Sequence, residues 1–287
     1  ALEAANAMPV TGEGCFTCHG SMDGFDFTDT PFHLTIVDPE TADCSVCHDG
    51  TLAAATVTGF HNGVTTGRGG IIWDGVDTSV AEGAKFDWAI TSMADDGANL
   101  TFTWQASYDG VGVDPCNDTV GVGAPTFHLG DGGLRTYRSY AQGDDFIIGT
   151  STSAPGQPDP RVNPTVDNTT CAGNVATTVI PVTAVDAEKG RIALGGKPLV
   201  VSPDATGMVV AARVPSPTYD WKVGDGSPMP RRDIVDTSLC LDCHVGSLYQ
   251  HGGDRVDNVD YCVMCHNSAS NEKNIRVGMD VDASEAY

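Results

Sequence analysis

Cysteine and histidine recur in one spacing four times: Cys15/Cys18/His19, Cys44/Cys47/His48, Cys240/Cys243/His244 and Cys262/Cys265/His266. Cys-x-x-Cys-His is the attachment signature of c-type haem. Two thiols add across the porphyrin vinyl groups, and the adjacent imidazole meets the iron from the proximal side. The expected cofactor is therefore four covalently attached haem c. Zinc is the rival, because Cys240 to Cys265 spells C-x2-C-x18-C-x2-C, a zinc-ribbon spacing; the first pair of motifs is too widely spaced for one. Histidine decides between them. With 8 His in 287 residues, filling all four motif positions by chance has odds of roughly one in a million, and a zinc ribbon needs no His there.

Four histidines remain, His33, His61, His128 and His251, one for each haem. Spare histidines beside haem motifs are expected as distal axial ligands. The iron-ligand set is then His19, His33, His48, His61, His128, His244, His251 and His266. A Met such as Met22, or an open site, is the alternative at one or two irons. Two imidazoles saturate an iron and leave no place for substrate, which describes a relay. One open iron would describe a multihaem reductase.

Lys and Arg number 15 against 38 Asp and Glu, a formal charge of -23. So acidic a surface argues against nucleic acid and anionic lipid as partners. It fits redox partner proteins or other extracellular acceptors, or a salty exterior. No run of 18 apolar residues is present, so no membrane span is expected. The start at Ala1, Leu2 and Glu3, without Met or a basic-apolar leader, reads as a mature exported chain. An extracellular or cell-surface location follows, with the periplasm second. Cys116 and Cys171 lie outside the motifs and are expected to pair in an oxidising compartment.

These motifs need a scaffold. Residues 1–66 form an N-terminal dihaem segment, 67–230 a β-rich domain and 231–287 a C-terminal dihaem segment. The dihaem segments are short and poor in large aliphatics, so they read as loop wrapped on porphyrin, unfolded without it, with close haem–haem contact inside each pair. In the middle, Leu100 to Tyr108 alternates apolar and polar with period two, a half-buried strand. Further β-rich runs fall at 175–185, 190–201 and 206–214, punctuated by Gly, Pro and Asp. The expected fold is mostly irregular and loop-rich, with a central all-β domain, sandwich or barrel, and few short helices. Residues 150–170, with Pro155, Pro158, Pro160 and Pro164, read as a long surface loop. Asp95/Asp96 and Asp144/Asp145 match no calcium-loop pattern and read as solvated turns. Arg68, Arg231 and Arg232 are cations that could steer an anionic partner.

One stretch carries a resemblance. Pro230 to Asp236, Cys240 to His244, His251-Gly252-Gly253-Asp254-Arg255 and Tyr261 to Asn267 look like the outer-surface multihaem cytochromes of metal-respiring bacteria, the OmcA/MtrC-type family. That resemblance implies extracellular electron transfer to minerals, flavins or other cells, and a distal-ligand role for His251. Members of that family usually have about ten haems rather than four. Either this is a tetrahaem protein or the chain shown ends early. Four haems with eight histidines are also similar to extracellular cytochromes that polymerise into filaments, where His128 or His33 would ligate a neighbouring copy. Three functions are thus expected: an extracellular tetrahaem electron-transfer protein, discrete or polymeric; a reductase with one open iron; or a partner-binding β domain to which the haems deliver electrons.

Overall fold

Short strands separated by Gly- and Asp-rich turns build most of the described chain. The computed structural model describes residues 11, 13–15, 41–46, 48, 56, 59, 61–63, 70–130, 133–143, 145–146, 158–159, 161–182, 186–203, 207–233, 235–241, 248–250 and 255–267. The chain divides into two units, Ala1–Thr78 and Ser79–Tyr287. In the first unit, β1 (Ile72–Trp73) and β2 (Val76–Asp77) form a hairpin. Thr78 closes it: its hydroxyl accepts from the Ile71 amide at 3.1 Å and donates to the Ile71 carbonyl at 2.8 Å.

Helix α1 (Thr78–Gly83) leads into the second unit. There follow β3 (Phe86–Asp95), β4 (Asn99–Tyr108), β5 (Val111–Gly112), β6 (Leu134–Gln142), β7 (Asp145–Phe146), β8 (Thr169–Ala172) and β9 (Val175–Pro181). After them come β10 (Lys189–Gly196), β11 (Leu199–Val201), β12 (Val209–Ala211) and β13 (Thr218–Lys222). β11 and β12 pair as a separate antiparallel hairpin, and the other strands form two larger antiparallel sheets, ordered β3-β4-β9-β8 with β5 on β4, and β13-β10-β6-β7. Neither larger sheet closes on itself among the described residues, so of the two β architectures expected the sandwich is found. No described helix is long and apolar enough to cross a membrane.

The period-two pattern of β4 buries Leu100, Phe102, Trp104, Ala106 and Tyr108 on one face. Their neighbours Phe86, Trp88 and Phe127 complete an aromatic cluster with ring centroids 5.0–6.3 Å apart. On the facing sheet, Trp221 packs against Tyr140 at 5.9 Å. A side chain at Gly190, directly across from Trp221, would place its Cβ 2.2 Å from that ring. Polar bonds join the sheets: Trp221 Nε1 and the Gly224 amide donate to Asp95 Oδ2 at 3.3 and 2.9 Å, and Arg138 Nη1 donates to the Pro181 carbonyl at 2.6 Å.

Several expectations change. Asp95 is buried and bridges the sheets, whereas Asp96 does cap an exposed turn, accepting from the Ala98 and Asn99 amides; Asp144 lies outside the described residues. In the supposed surface loop, Pro158, Asp159 and Pro164 are buried. The Asp159 amide donates to the Arg138 carbonyl at 2.8 Å, fastening this part of the segment to β6.

Burial pushes the Tyr140 phenol up to about 12, with the Arg138 guanidinium opposing the rise and the Asp159 carboxylate adding to it. Between pH 10 and pH 12 the unfolded chain sheds this proton while the folded chain keeps it. This contribution is therefore whole below pH 10 and lost as pH rises towards 12. It amounts to roughly 2–3 kcal/mol. Unfolding midpoints measured across that window should fall, and Tyr140→Phe should flatten that decline.

Candidate haem-attachment turns

The fourth motif is the most completely described. Helix α2 (Thr237–Leu241), β14 (Tyr249–Gln250), β15 (Arg255–Val256) and α3 (Val259–Cys262) lead into it. Asn258 caps α3, its side chain accepting from the Asp260 amide at 2.9 Å. The turn continues past the helix: the Cys265 and His266 amides both donate to the Cys262 carbonyl, at 3.1 and 2.9 Å. One helical turn places residues three and four apart on a common face. Cys262, Cys265 and His266 thus share one side, and Tyr261 and Met264 the other.

Burial follows that division. Tyr261 is 1% and Met264 0% exposed, while Cys262 and His266 are exposed and Cys265 half-buried. Tyr261 and Met264 pack with Ala141, Phe146 and Ala193, flanked by Tyr137 and Val263. The Tyr137 and Tyr261 rings lie 5.6 Å apart. Ser139 Oγ donates to the Met264 carbonyl at 3.4 Å, and Asn258 Nδ2 to the Ser216 carbonyl at 2.7 Å. This is the face of β6 and β10 that points away from the sandwich interior. Such a face is ordinarily polar and wet. Here it is covered by the motif turn, so β10 is buried from Gly190 through Gly196. Residues 256–267 therefore have packing of their own on the sheet, a narrower case than the porphyrin-dependent loop expected from composition.

Short capping contacts tie the turns together in pairs. In the first unit, the Gly14 and Cys15 amides donate to the hydroxyl and carbonyl of Thr11, at 3.2 and 3.1 Å. Thr11 also bridges Asp43 across an antiparallel contact. Asp43 in turn caps the 3-10 turn Cys44–Val46, accepting from the Ser45 amide at 3.0 Å and hydroxyl at 2.5 Å. Those bonds, the hydroxyl first, hold its carboxyl below the usual range. The His48 amide donates to the Cys44 carbonyl at 2.9 Å, the same closure as in the fourth motif. In the second unit, Asp236 caps α2 through the Ser238 amide and hydroxyl, at 2.9 and 2.7 Å. The Val259 amide then donates to Thr237 Oγ1 at 3.1 Å, linking the start of the turn that bears Cys240 to the turn that bears Cys262.

A local signal went unused in the sequence. Thr11, Asp236 and Asn258 each stand four residues before the first cysteine of a motif and act as its helix cap.

His61 opens a turn in the first unit. Asn62 Oδ1 accepts from the Asp74 amide at 2.7 Å and the Gly63 amide donates to the Ile72 carbonyl at 2.8 Å, fastening that turn to the β1–β2 hairpin. His128 lies between β5 and β6 with φ +52°, a left-handed conformation uncommon outside glycine. Its amide donates to Thr126 Oγ1 at 3.1 Å and its carbonyl accepts from Gly133 at 2.9 Å. Cys18, His19, His33, Cys47, Cys243, His244 and His251 lie outside the described residues. Arg231 is no steering cation: it is buried, its guanidinium 4.5 Å from the Phe146 ring centroid and its amide donating to Asp220. Arg232 is exposed, and Arg68 lies outside the described residues.

Cys116 and Cys171 form a disulfide, with Cα atoms 5.9 Å apart, the pairing expected from the sequence. Asp114 lies beside them as the third member of a metal-like cluster, but both sulfurs are consumed. Among the described motif cysteines, Cys15, Cys44, Cys240, Cys262 and Cys265 form no disulfide. A thiol pair three apart on the outward side of a turn, with imidazole one residue on, fits covalent haem attachment.

No family model and no curated protein matches the chain. Among solved structures, it is similar to MtrC from Shewanella baltica OS185, at 17% identity and a TM-score of 0.41, over 64% of this chain and 30% of that one. It is also similar to the outer membrane decaheme cytochrome OmcA, at 14% identity and a TM-score of 0.38, over 65% and 30%. The chain thus spans about 30% of the length of these two structures.

Proposed function

We propose that this chain is an extracellular electron-transfer protein, a tetrahaem c-type cytochrome with bis-histidine ligation. The supporting observation is the two-sided turn at 259–266, which presents Cys262, Cys265 and His266 outward while Tyr261 and Met264 anchor it. Haem c supplies one-electron chemistry when bound. Cys15/Cys18, Cys44/Cys47, Cys240/Cys243 and Cys262/Cys265 hold the four groups by thioether bonds. His19, His48, His244 and His266 are the proximal ligands, and His33, His61, His128 and His251 the distal ones. The capping contacts between Thr11 and Asp43, and between Thr237 and Val259, support close approach of the groups within each pair. The surface charge favours cationic partners and disfavours nucleic acid.

Intact mass of the secreted protein tests this directly. Four haem additions are expected, and the bare polypeptide mass would sink the proposal. The oxidised EPR spectrum should contain only low-spin iron; a high-spin component would make the protein a reductase with an open site. Electron microscopy in native buffer separates two forms of the same function. Filaments of regular repeat mean a haem wire, with His128 or His33 serving a neighbouring copy. Discrete particles mean a surface relay or terminal metal reductase.

A further inference from the structure

Beneath the fourth motif, the outer face of β10 carries a buried charge. Arg191 is 4% exposed and stands between Gly190 and Ile192, one residue pair away from Ala193. Its Nε and Nη2 donate to Asp220 Oδ1 and Oδ2 at 2.5 and 2.7 Å. Its Nη1 reaches the motif helix, donating to Asp260 Oδ1 at 2.6 Å and to the Asp260 carbonyl at 3.2 Å. Asp260 lies two residues before Cys262. Asp220 alone would satisfy a bidentate fork. The remaining N–H groups instead grip α3 by both side chain and main chain, which fixes the rotation of the helix. That rotation decides whether Tyr261 and Met264, or the cysteines, face the sheet. One cation and two carboxylates also leave a net negative charge beside the attachment turn.

We propose that Arg191 and Asp260 form a clasp that positions the Cys262–His266 turn and sets the electrostatic field on the haem attached there. The inference rests on haem attachment at Cys262 and Cys265. Nearby negative charge favours the ferric state and positive charge the ferrous state. Neutralising the two partners should therefore move one reduction potential in opposite directions. Spectroelectrochemical titration of the holoprotein at fixed ionic strength is the test. Asp260→Asn should raise one of the four potentials, Arg191→Gln should lower the same one, and the other three should stay. Asp260→Glu, which keeps the charge, should return the potential to the wild-type value.

A clamp without a field would loosen the turn in both variants and shift the potential the same way, which overturns the proposal, as does no shift. If Arg191→Gln does not fold, the Asp260→Asn and Asp260→Glu pair decides: a rise that Glu reverses supports the clasp, and any other result overturns it. Intact mass of each protein separates the two levels of the argument. A wild-type chain without haem overturns the site itself, whereas full haem content without the opposed shifts overturns the clasp alone.

Discussion

Met264→Ala should free the fourth motif from its sheet while leaving the sandwich folded. The side chain is 0% exposed and fills the space between Ala141, Phe146, Ala193 and Tyr261. Truncating a buried Met costs about 3 kcal/mol, from lost transfer energy and the cavity left behind. The loss falls on the outer face of β6 and β10, away from the interior occupied by Tyr140, Ile192 and Trp221, so it should appear as local opening. In hydrogen exchange on the holoprotein, the Cys265 and His266 amides, both bonded to the Cys262 carbonyl, should exchange roughly a hundredfold faster. Met264→Leu conserves volume and should restore most of the protection. Unchanged exchange in the Ala variant would show that covalent attachment, and not Met264, holds the turn.

Replacing both Cys116 and Cys171 with Ala should produce the largest loss of global stability. Their separation of 55 residues corresponds to about 4 kcal/mol in the loop-entropy model. For a unit of this size that is a fall in melting temperature of roughly 10 °C. The bridge fastens the long connection after β5 to edge strand β8, whose other support is the ladder to β9. A melting temperature within a degree or two of the wild type would mean that hydrogen bonds in this connection, such as Thr126 Oγ1 to the Asn117 carbonyl at 2.7 Å, already hold it closed. Haem content should not change, since neither cysteine belongs to a motif.

The strands differ in how openly the sequence declares them. β4 was legible throughout, because one face is core and the other is not. β3 carries the same kind of pattern in Phe86, Trp88 and Ile90, but a bulge between Ile90 and Ser92 shifts the phase, so Met93 and Asp95 continue the inward row from odd positions. Period-two reading fails across such a shift. β6 was harder still. Arg135, Thr136, Arg138 and Ser139 look like a solvated strand, yet Leu134, Thr136, Arg138 and Tyr140 face the partner sheet. Ser139 and Ala141 are buried beneath the fourth motif. A strand covered on both faces loses the alternation by which strands are recognised.

By itself, the sequence determined the chemistry the chain could carry: eight cysteines and four histidines in attachment spacing, two further cysteines for one disulfide, and an acidic surface. Those features are local, because two thiols and an imidazole within five residues share one turn wherever the turn is placed. Tertiary structure alone decided which side of that turn is presented. Met264 meets Ser139 across 125 residues and Asp260 meets Arg191 across 69. Such partners are chosen by the sheet's register and by the need to cover its apolar outer face, which no single segment specifies.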